Sequence, residues 1–590
     1  MYTPAADAGV TVVEKDAALS SAYSPVDYMS ITSFPRLPED EVSADSTFKS
    51  RRDDDNFLSE QDTDPDLFLK SARLQRLPSS ASDLASRDVS PLRETSRDPL
   101  AQDCACTRDG LTVIITACLT FATGVTVALI MQIYFGDPQS KTCSQINVES
   151  GGVMLVHDIR RNESRVIDFR ETAPSGIHQD MMLDVNQRSG LLVAVPGMIS
   201  GLHQAHQLYG RMVWKDVVTM AADVARNGFN MTHELADALS EVKEQNVSDA
   251  FRDLFLLNGQ APLAGLFTKR LDLVAILDRI AVNGVSEFYS GNLTQEITSV
   301  VQAKGGVLTE DDFKNYTTVI EKPLQSLYQG FQVFVPPPPH AGAALLSALN
   351  ILEGFNITHQ VSRSSIYHWI AESLKIALSQ ASGLGDSMFD SSVSELVTQM
   401  LSKDHAAVLR QKIDDSQASA AEHYTQSYEL QEGAVASQLM IMGTDDLIVS
   451  VMSSLNRPFG SRIVTPSGIL LNSQILDFSW PNKTHSAAAY NQRNSIEPGK
   501  RPASFLMPIA VRPSIGLCGT YVALGSSNGE RALSGITQVL INVLSARNNM
   551  SDSVSYGRLH PLIQNNTLLV DCKFSIIYWS FLWGSFKSFL

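Results

Sequence analysis

Three polar clusters in this 590-residue chain have the residue types and spacing for chemistry. Arg170, in IDFRETAP, ends an apolar run that reads as a strand, and a guanidinium there suits bidentate capture of a carboxylate. Its competing reading is a structural pair with Glu171. GILLNSQILDF crowds Asn472, Ser473, Gln474 and Asp477 into an apolar run, which marks either a turn or a site. YVALGSSNGERALSG reads as strand, Gly-rich turn and helix, so its amides suit an oxyanion or carboxylate. It lacks the lysine of a phosphate-binding loop, and a plain strand–helix turn is the alternative. Together these groups could read the carboxylate and ammonium of an amino acid. A further stretch, YELQEGAVASQLMIMGTDDLIVSVMSSLN, holds two apolar runs around GTDD and predicts a hairpin. Whether that hairpin does chemistry depends on the start of its first strand, at Ala436 and Ser437.

These groups need a scaffold. From residue 150, GGVMLVHD and SRVIDFRE read as paired strands. MISGLHQAHQLYG, WKDVVTMAADVARNGF, DLVAILDRIAVNG, NLTQEITSVVQAKGG and EDDFKNY carry helical spacing. In YQGFQVFVPPPPHAGAALLSALNILEGF a strand meets four prolines at 336–339, a stiff wall without amide donors, and then a helix. Beyond residue 436 the period changes to two, through the hairpin, GILLNSQILDF and GLCGTYVALG. The pattern predicts an α/β fold with substantial sheet and covering helices.

The chain is too long for one small core, so more than one structural unit is expected. Residues 1–109 carry 21 Asp+Glu and 12 Lys+Arg with many Ser and Pro. Such a stretch buries too little apolar surface to offset chain entropy, and a disordered tail is expected. Residues 110–135 contain the uncharged run LTVIITACLTFATGVTVALIMQIYF, long enough for a transmembrane signal-anchor helix. Arg93, Arg97 and Arg108 precede it and only Lys141 follows, which puts the tail in the cytosol and the body outside, a single-pass type II arrangement. Glycosylation sequons at Asn162, Asn230, Asn246, Asn292, Asn315, Asn356, Asn482, Asn549 and Asn565 all follow the span, as an extracellular or lumenal body requires. Cys104 and Cys106 lie on the cytosolic side, as palmitoylation sites or unmodified thiols. Six cysteines do not supply a disulfide framework, and none has metal-ligand spacing. A net charge of −17 argues against a nucleic-acid partner.

In order along residues 150–570, GGVMLV with IDFRETAP, VPG, GFQVFVPPPPHAGAALLSALNILEGF, SSLNRPFGS, SGILLNSQILDFSWP, PGKRPASF and ALGSSNG resemble the γ-glutamyltransferases, or glutathione hydrolases. Within them the chain is similar to a membrane-anchored subgroup with a long cytosolic tail. The resemblance implies an αββα N-terminal-nucleophile hydrolase sandwich and no metal or organic cofactor. It also implies a precursor that cuts itself into large and small subunits, here 150–435 and 436–571 after a juxtamembrane segment at 136–149. A freed threonine would attack the γ-glutamyl bond of glutathione and its conjugates, for hydrolysis or for transfer to amino acid or dipeptide acceptors. Position by position, the resemblance implies that Arg170 and Ser504 hold the substrate α-carboxylate and that Gln474 and Asp477 grip its α-amino group. Ser454 and Asn456 would orient the nucleophile and the glutamyl backbone. The amides of Asn528 and Gly529, where the family has Gly-Gly, would form the oxyanion hole.

The chain departs from the family where it matters. Counted back from Asn456 through the hairpin, the nucleophilic threonine falls on Ala436, which has no attacking atom. Ser437 is adjacent, but neighbours on a strand point to opposite faces, so it serves only with a one-residue shift of register or of the cleaved bond. Phe505 replaces a second carboxylate-binding serine and is expected to crowd that end of the pocket. Residues 572–590 resemble nothing in the family and, with the short approach to the first strand, read as ends of an alternative or incorrectly predicted transcript rather than as a genuine lineage-specific C-terminus, which would delete the family's closing core strand. On these grounds the family-level expectation is an enzyme, a membrane-anchored γ-glutamyl hydrolase or transferase; the alternatives are a catalytically inactive member that binds γ-glutamyl compounds, towards which Ala436 inclines this chain, and an interaction segment in the tail around RLQRLPSSASDL.

Overall fold

The computed structural model describes residues 29–32 and 148–571, apart from positions 186, 244, 246, 356, 358–359, 429, 431–434, 444, 482, 484–489, 547 and 564–566. The apolar run at 110–135, the rest of the N-terminal tail and residues 572–590 lie outside them. In chain order the main strands are β1 (Met29–Thr32), β2 (Gly151–Asp158), β3 (Glu163–Phe169), β4 (Val319–Glu321), β5 (Leu324–Tyr328), β6 (Phe331–Val335), β7 (Val435–Met442), β8 (Leu447–Asn456), β9 (Ile509–Pro513) and β10 (Val522–Ser526). They form two antiparallel sheets, one ordered β4-β3-β2-β8-β7 and the other β1-β10-β9-β6-β5.

Alternation along the strands builds the layers. Val153, Leu155, Ala436, Met440, Ile448 and Met452 of the first sheet pack on Phe334, Ala510 and Ala523 of the second. On the first sheet's outer face, Met154, Phe169, Leu439 and Val449 meet Met198 and Leu202 of helix α1 (Met198–Tyr209). On the second sheet's outer face, Val333, Ile509 and Leu524 meet helices α2 (Gly342–Glu353), α3 (Arg363–Ser382) and α4 (Arg531–Leu540). The order helix, sheet, sheet, helix follows. Helix α2 is apolar almost all round because it is buried almost all round, and its Ala and Leu content suits both helix formation and close packing.

The hairpin around GTDD forms as expected, with Gly443 N donating to the Leu447 carbonyl at 2.8 Å. Three elements differ from the sequence reading. GILLNSQILDF is not a strand: only Leu470 makes a bridge, to Val464, and Gln474–Asp477 is a 3-10 turn. β9 went unread because Pro508 precedes it and Pro513 ends it, yet it pairs with both β6 and β10. Met29–Thr32, within the segment expected to be disordered, pairs antiparallel with β10, whose outer edge otherwise offers unpaired backbone groups.

Among the described residues no helix is long and apolar enough to cross a membrane, and no group of His, Cys, Asp and Glu is arranged to hold a metal ion. Asn162, Asn230, Asn292, Asn315 and Asn549 are exposed. Asn246, Asn356, Asn482 and Asn565 lie outside the described residues.

Candidate active site

Arg170 follows directly on β3, and its side chain is 1% exposed. Its Nη1 donates to Gln474 Oε1 at 2.9 Å and to Glu171 Oε2 at 3.1 Å, while Nη2 donates to Asp477. Nε donates to the Pro502 carbonyl at 3.3 Å. Gln474 and Asp477 reach it from one short turn, which Asn472 holds in place. The Asn472 side chain accepts from Ala194 N at 3.0 Å and donates to the carbonyls of Ala194 and Glu149 at 2.9 and 3.1 Å. Gln474 Nε2 donates to the Ser454 carbonyl at 2.7 Å, and Asn456 Nδ2 donates to Asp477 Oδ1 at 2.5 Å. Asn456 N donates to Ser454 Oγ at 2.8 Å. Arg170, Gln474, Asp477, Ser454 and Asn456 are therefore one hydrogen-bonded cluster.

Burial works against a charge on Arg170, but Asp477 and Glu171 more than offset it and hold its pKa above the ordinary value. For Glu171 burial wins: despite Arg170 and the Gly151 N–H that it accepts, its carboxyl is pushed up to about 7. Burial, and then the neighbouring Glu171, push Glu149 well above its usual value; neither of its carboxyl oxygens has a hydrogen-bond partner among the described residues. The approach of β2 to this cluster requires glycine. A Cβ on Gly151 would lie 2.5 Å from Glu171 Cδ, and one on Gly152 would lie 2.1 Å from the Met452 carbonyl oxygen.

The start of β7 abuts the same cluster. Register sets Ala436 opposite Ser454 and Ser437 opposite Ser453. Ala436 N donates to the Ser527 carbonyl at 3.0 Å, which brings the strand against the turn before α4. In that turn Gly529 has φ of +52°, whereas Asn528 is not left-handed, so its side chain brings no such strain. The N–H groups of Asn528 and Gly529 have no acceptor among the described residues. Ala436 lies in the core between the sheets with Met440 and Met452, while Leu439 and Ile441 face α1. Ser437 shares that second face; it is buried, and its Oγ has no hydrogen-bond partner among the described residues. Ser504 lies beside the proline run, its Oγ 3.1 Å from His340 Nδ1. Phe505, expected to crowd the carboxylate end of the pocket, packs half-buried against the core beneath the helices of the second sheet.

The gamma-glutamyltranspeptidase family model matches residues 143–582. The chain belongs to the gamma-glutamyltranspeptidase family. Glutathione hydrolase 7 of Homo sapiens is 54% identical over 94% of this chain and 90% of its own length. The glutathione hydrolase proenzyme of Arthroderma benhamiae is 31% identical over 72% of this chain and 74% of its own. Cephalosporin acylase from Bacillus halodurans shares the fold with a TM-score of 0.66 at 21% identity, covering 81% of this chain and 86% of that one. This is a family of N-terminal-nucleophile enzymes that act on γ-glutamyl bonds. The match continues to residue 582, past residue 571, where the sequence was expected to leave the family.

Read as a gamma-glutamyltranspeptidase, the molecule gathers Arg170, Ser454, Asn456, Gln474 and Asp477 into one cluster and sets Ala436 and the 528–529 amides at its edge. Ser504 is next in chain to the cluster's edge, since Arg170 Nη2 donates to the carbonyl of the preceding Ala503 at 3.4 Å. Sequence reasoning missed Glu149, Asp168 and His340. Asp168 had a signal, lying two residues before Arg170 on the same strand edge. His340 had one in ending the proline run. Glu149 had none.

Proposed function

We propose that the Arg170 cluster is a γ-glutamyl recognition site and that this chain binds γ-glutamyl compounds such as glutathione without turning them over. Arg170, some of whose bonds to Glu171, Asp477 and Gln474 the ligand displaces, and Ser504 receive the α-carboxylate, Gln474 and Asp477 the α-ammonium, and Asn456 the glutamyl backbone. The Asn528 and Gly529 amides face the carbonyl oxygen of the susceptible bond. The observation that supports the reading is the methyl group of Ala436, buried between the sheets and opposite Ser454, at the position to which the resemblance assigns the nucleophile. Without that hydroxyl no chain cleavage frees an amine, and large and small subunits remain one polypeptide. A second reading, turnover with water or with amino acid or dipeptide acceptors, is favoured by the unengaged 528–529 amides. It requires Ser437 to move to the other face of β7.

The same proposal makes the protein a single-pass type II membrane protein with a glycosylated lumenal or extracellular body. The arginine-rich flank before residue 110 and the five exposed sequon asparagines support it. Anchoring requires β1 to leave β10, because a strand cannot pair across a bilayer. A four-residue edge strand gives up a few hydrogen bonds of about 1 kcal/mol each, while each Leu, Ile, Val or Phe inserted returns about 0.3–0.6 kcal/mol.

The test is equilibrium binding of glutathione to the detergent-solubilised full chain, with release of glutamate followed in parallel. Saturable binding without glutamate release, lost in Arg170→Gln, is expected. Glutamate release by the unaltered chain, or no binding at all, overturns the reading.

A further inference from the structure

Away from the Arg170 cluster, a short hairpin carries a surface that γ-glutamyl recognition does not use. Phe229–Asn230 pairs antiparallel with Phe267–Thr268, and the register sets Asn230 directly opposite Phe267. The next rung is the bond from Met231 N to the Leu266 carbonyl at 2.7 Å, which makes Asn230 and Phe267 a non-hydrogen-bonded pair. Cross-strand side chains approach most closely at such pairs, with Cβ atoms about 4.5–5.5 Å apart. Both residues are exposed. The ring leans along the Asn230 strand, since a Cβ on Gly228 would lie 2.6 Å from Phe267 Cζ.

Two phenylalanines are exposed among the described residues, and they differ in what they meet. Phe389 has the Lys500 ammonium 5.6 Å from its ring centroid. Phe267, 57% exposed, meets no cation and no other ring among the described residues. Leu263 and Leu266, exposed as well, precede it in the same connection. Beneath them Met231, Leu239 and Leu256 already pack in a buried cluster, so the three exposed side chains form the outer face of a filled unit. A contiguous apolar face of this kind marks a place that something else covers.

The covering group has a tether in place. Asn230 opens the sequon Asn230-Met231-Thr232, and its side chain makes no hydrogen bond among the described residues. Asn549, by contrast, spends its Nδ2 on Asp552 Oδ2 at 2.6 Å. Modification joins Asn230 Nδ2 to the anomeric carbon of an oligosaccharide carried on a lipid pyrophosphate. The bond from that carbon to the pyrophosphate oxygen breaks, and one Nδ2 proton leaves with the pyrophosphate. The first sugar is then held beside the ring by a covalent bond, and the C–H face of a pyranose packs on an aromatic face by dispersion. We propose that the oligosaccharide on Asn230 packs its innermost sugar against Phe267 and shields the apolar face of this hairpin from water. The proposal rests on the lumenal or extracellular placement of the body, where the sugar donor is met, and is independent of the γ-glutamyl reading.

Glycopeptide mass spectrometry and thermal melts of the detergent-solubilised full chain from cells test it, in the wild type, Asn230→Gln, Phe267→Ser and the double variant. Both positions are exposed, so neither substitution disturbs the core. Asn230 is expected to carry sugar. Asn230→Gln is expected to lower the melting midpoint by about 2–4 °C in the wild-type background, and by much less beside Phe267→Ser, where the sugar has no ring to cover. Deuterium exchange at the Met231 amide, faster in Asn230→Gln only when Phe267 is present, is expected to repeat the pattern. Equal lowering in both backgrounds, or none in either, overturns the contact. An unmodified Asn230 in a chain glycosylated at other sequons overturns the proposal alone. Absence of sugar from every sequon overturns the lumenal or extracellular placement, and the proposal with it.

Discussion

Around Arg170 a buried cation meets two carboxylates and an amide. A few ångströms away, at the start of β7, the serine hydroxyls of Ser437, Ser453 and Ser527 are buried without partners among the described residues, and alanine stands opposite Ser454. The two regions obey different physics. Removing one partner of a buried ion pair leaves a stranded charge and costs about 3–5 kcal/mol, so the recognition cluster is held in place by folding itself. A methyl between two apolar sheet faces costs the fold nothing. On the assignment proposed above, recognition and reaction are therefore separable in this chain, and the reacting atom is the cheaper one to lose.

The largest expected effect comes from restoring that atom. Ala436→Thr is expected to convert the single chain into two and to raise γ-glutamyl hydrolysis by at least about a thousandfold, read by glutamate release. An inert, uncut Ala436→Thr would break the comparison by showing that the reaction half lacks more than its nucleophile. Arg170→Gln strands Asp477 and Glu171 and is expected to lower unfolding free energy by about 3–5 kcal/mol in denaturant melts. A loss below about 1 kcal/mol would show that stability does not hold the cluster together.

A smaller effect is expected from pH. The Glu171 carboxyl sits at about 7 in the folded protein against an ordinary 4.5, so the folded state holds this proton more tightly than the unfolded chain. The corresponding stability is complete below pH 4.5 and is lost as pH rises through 7. Denaturation midpoints are expected to fall across that interval, and less steeply in Glu171→Gln. Ser437→Ala comes last: no change in chain pattern or glutathione affinity is expected, because the hydroxyl faces away from the cluster. Glutamate release by the unaltered chain that disappears in that variant would make Ser437 the nucleophile.

Much of this was legible in the sequence because the local signals were strong. Period-two apolar runs around GTDD encode β7 and β8, and counting back from Asn456 reached Ala436, which the register places opposite Ser454. Arg170 was legible as the end of β3. The turn at Gln474–Asp477 was one of the two readings of its crowded polar residues, but the period-two reading of the whole run failed because Ile469 and Leu471 pack in one cluster, Leu470 in a second, and Ile475, Leu476 and Phe478 in a third. Only the long-range bonds of Asn472 to Ala194 and Glu149 show why the chain turns there. β9 was hidden by the prolines before it and at its end. Glu149 and the His340–Asp168 contact depend on segments far apart in sequence, and no local pattern encodes them.

Intact mass and N-terminal sequencing of the deglycosylated protein from cells test the central claim most directly. A single chain running uninterrupted through residue 436 is expected, with a site that binds but does not react. Two chains, the smaller beginning at Ser437, would contradict it and make the shifted serine a working nucleophile.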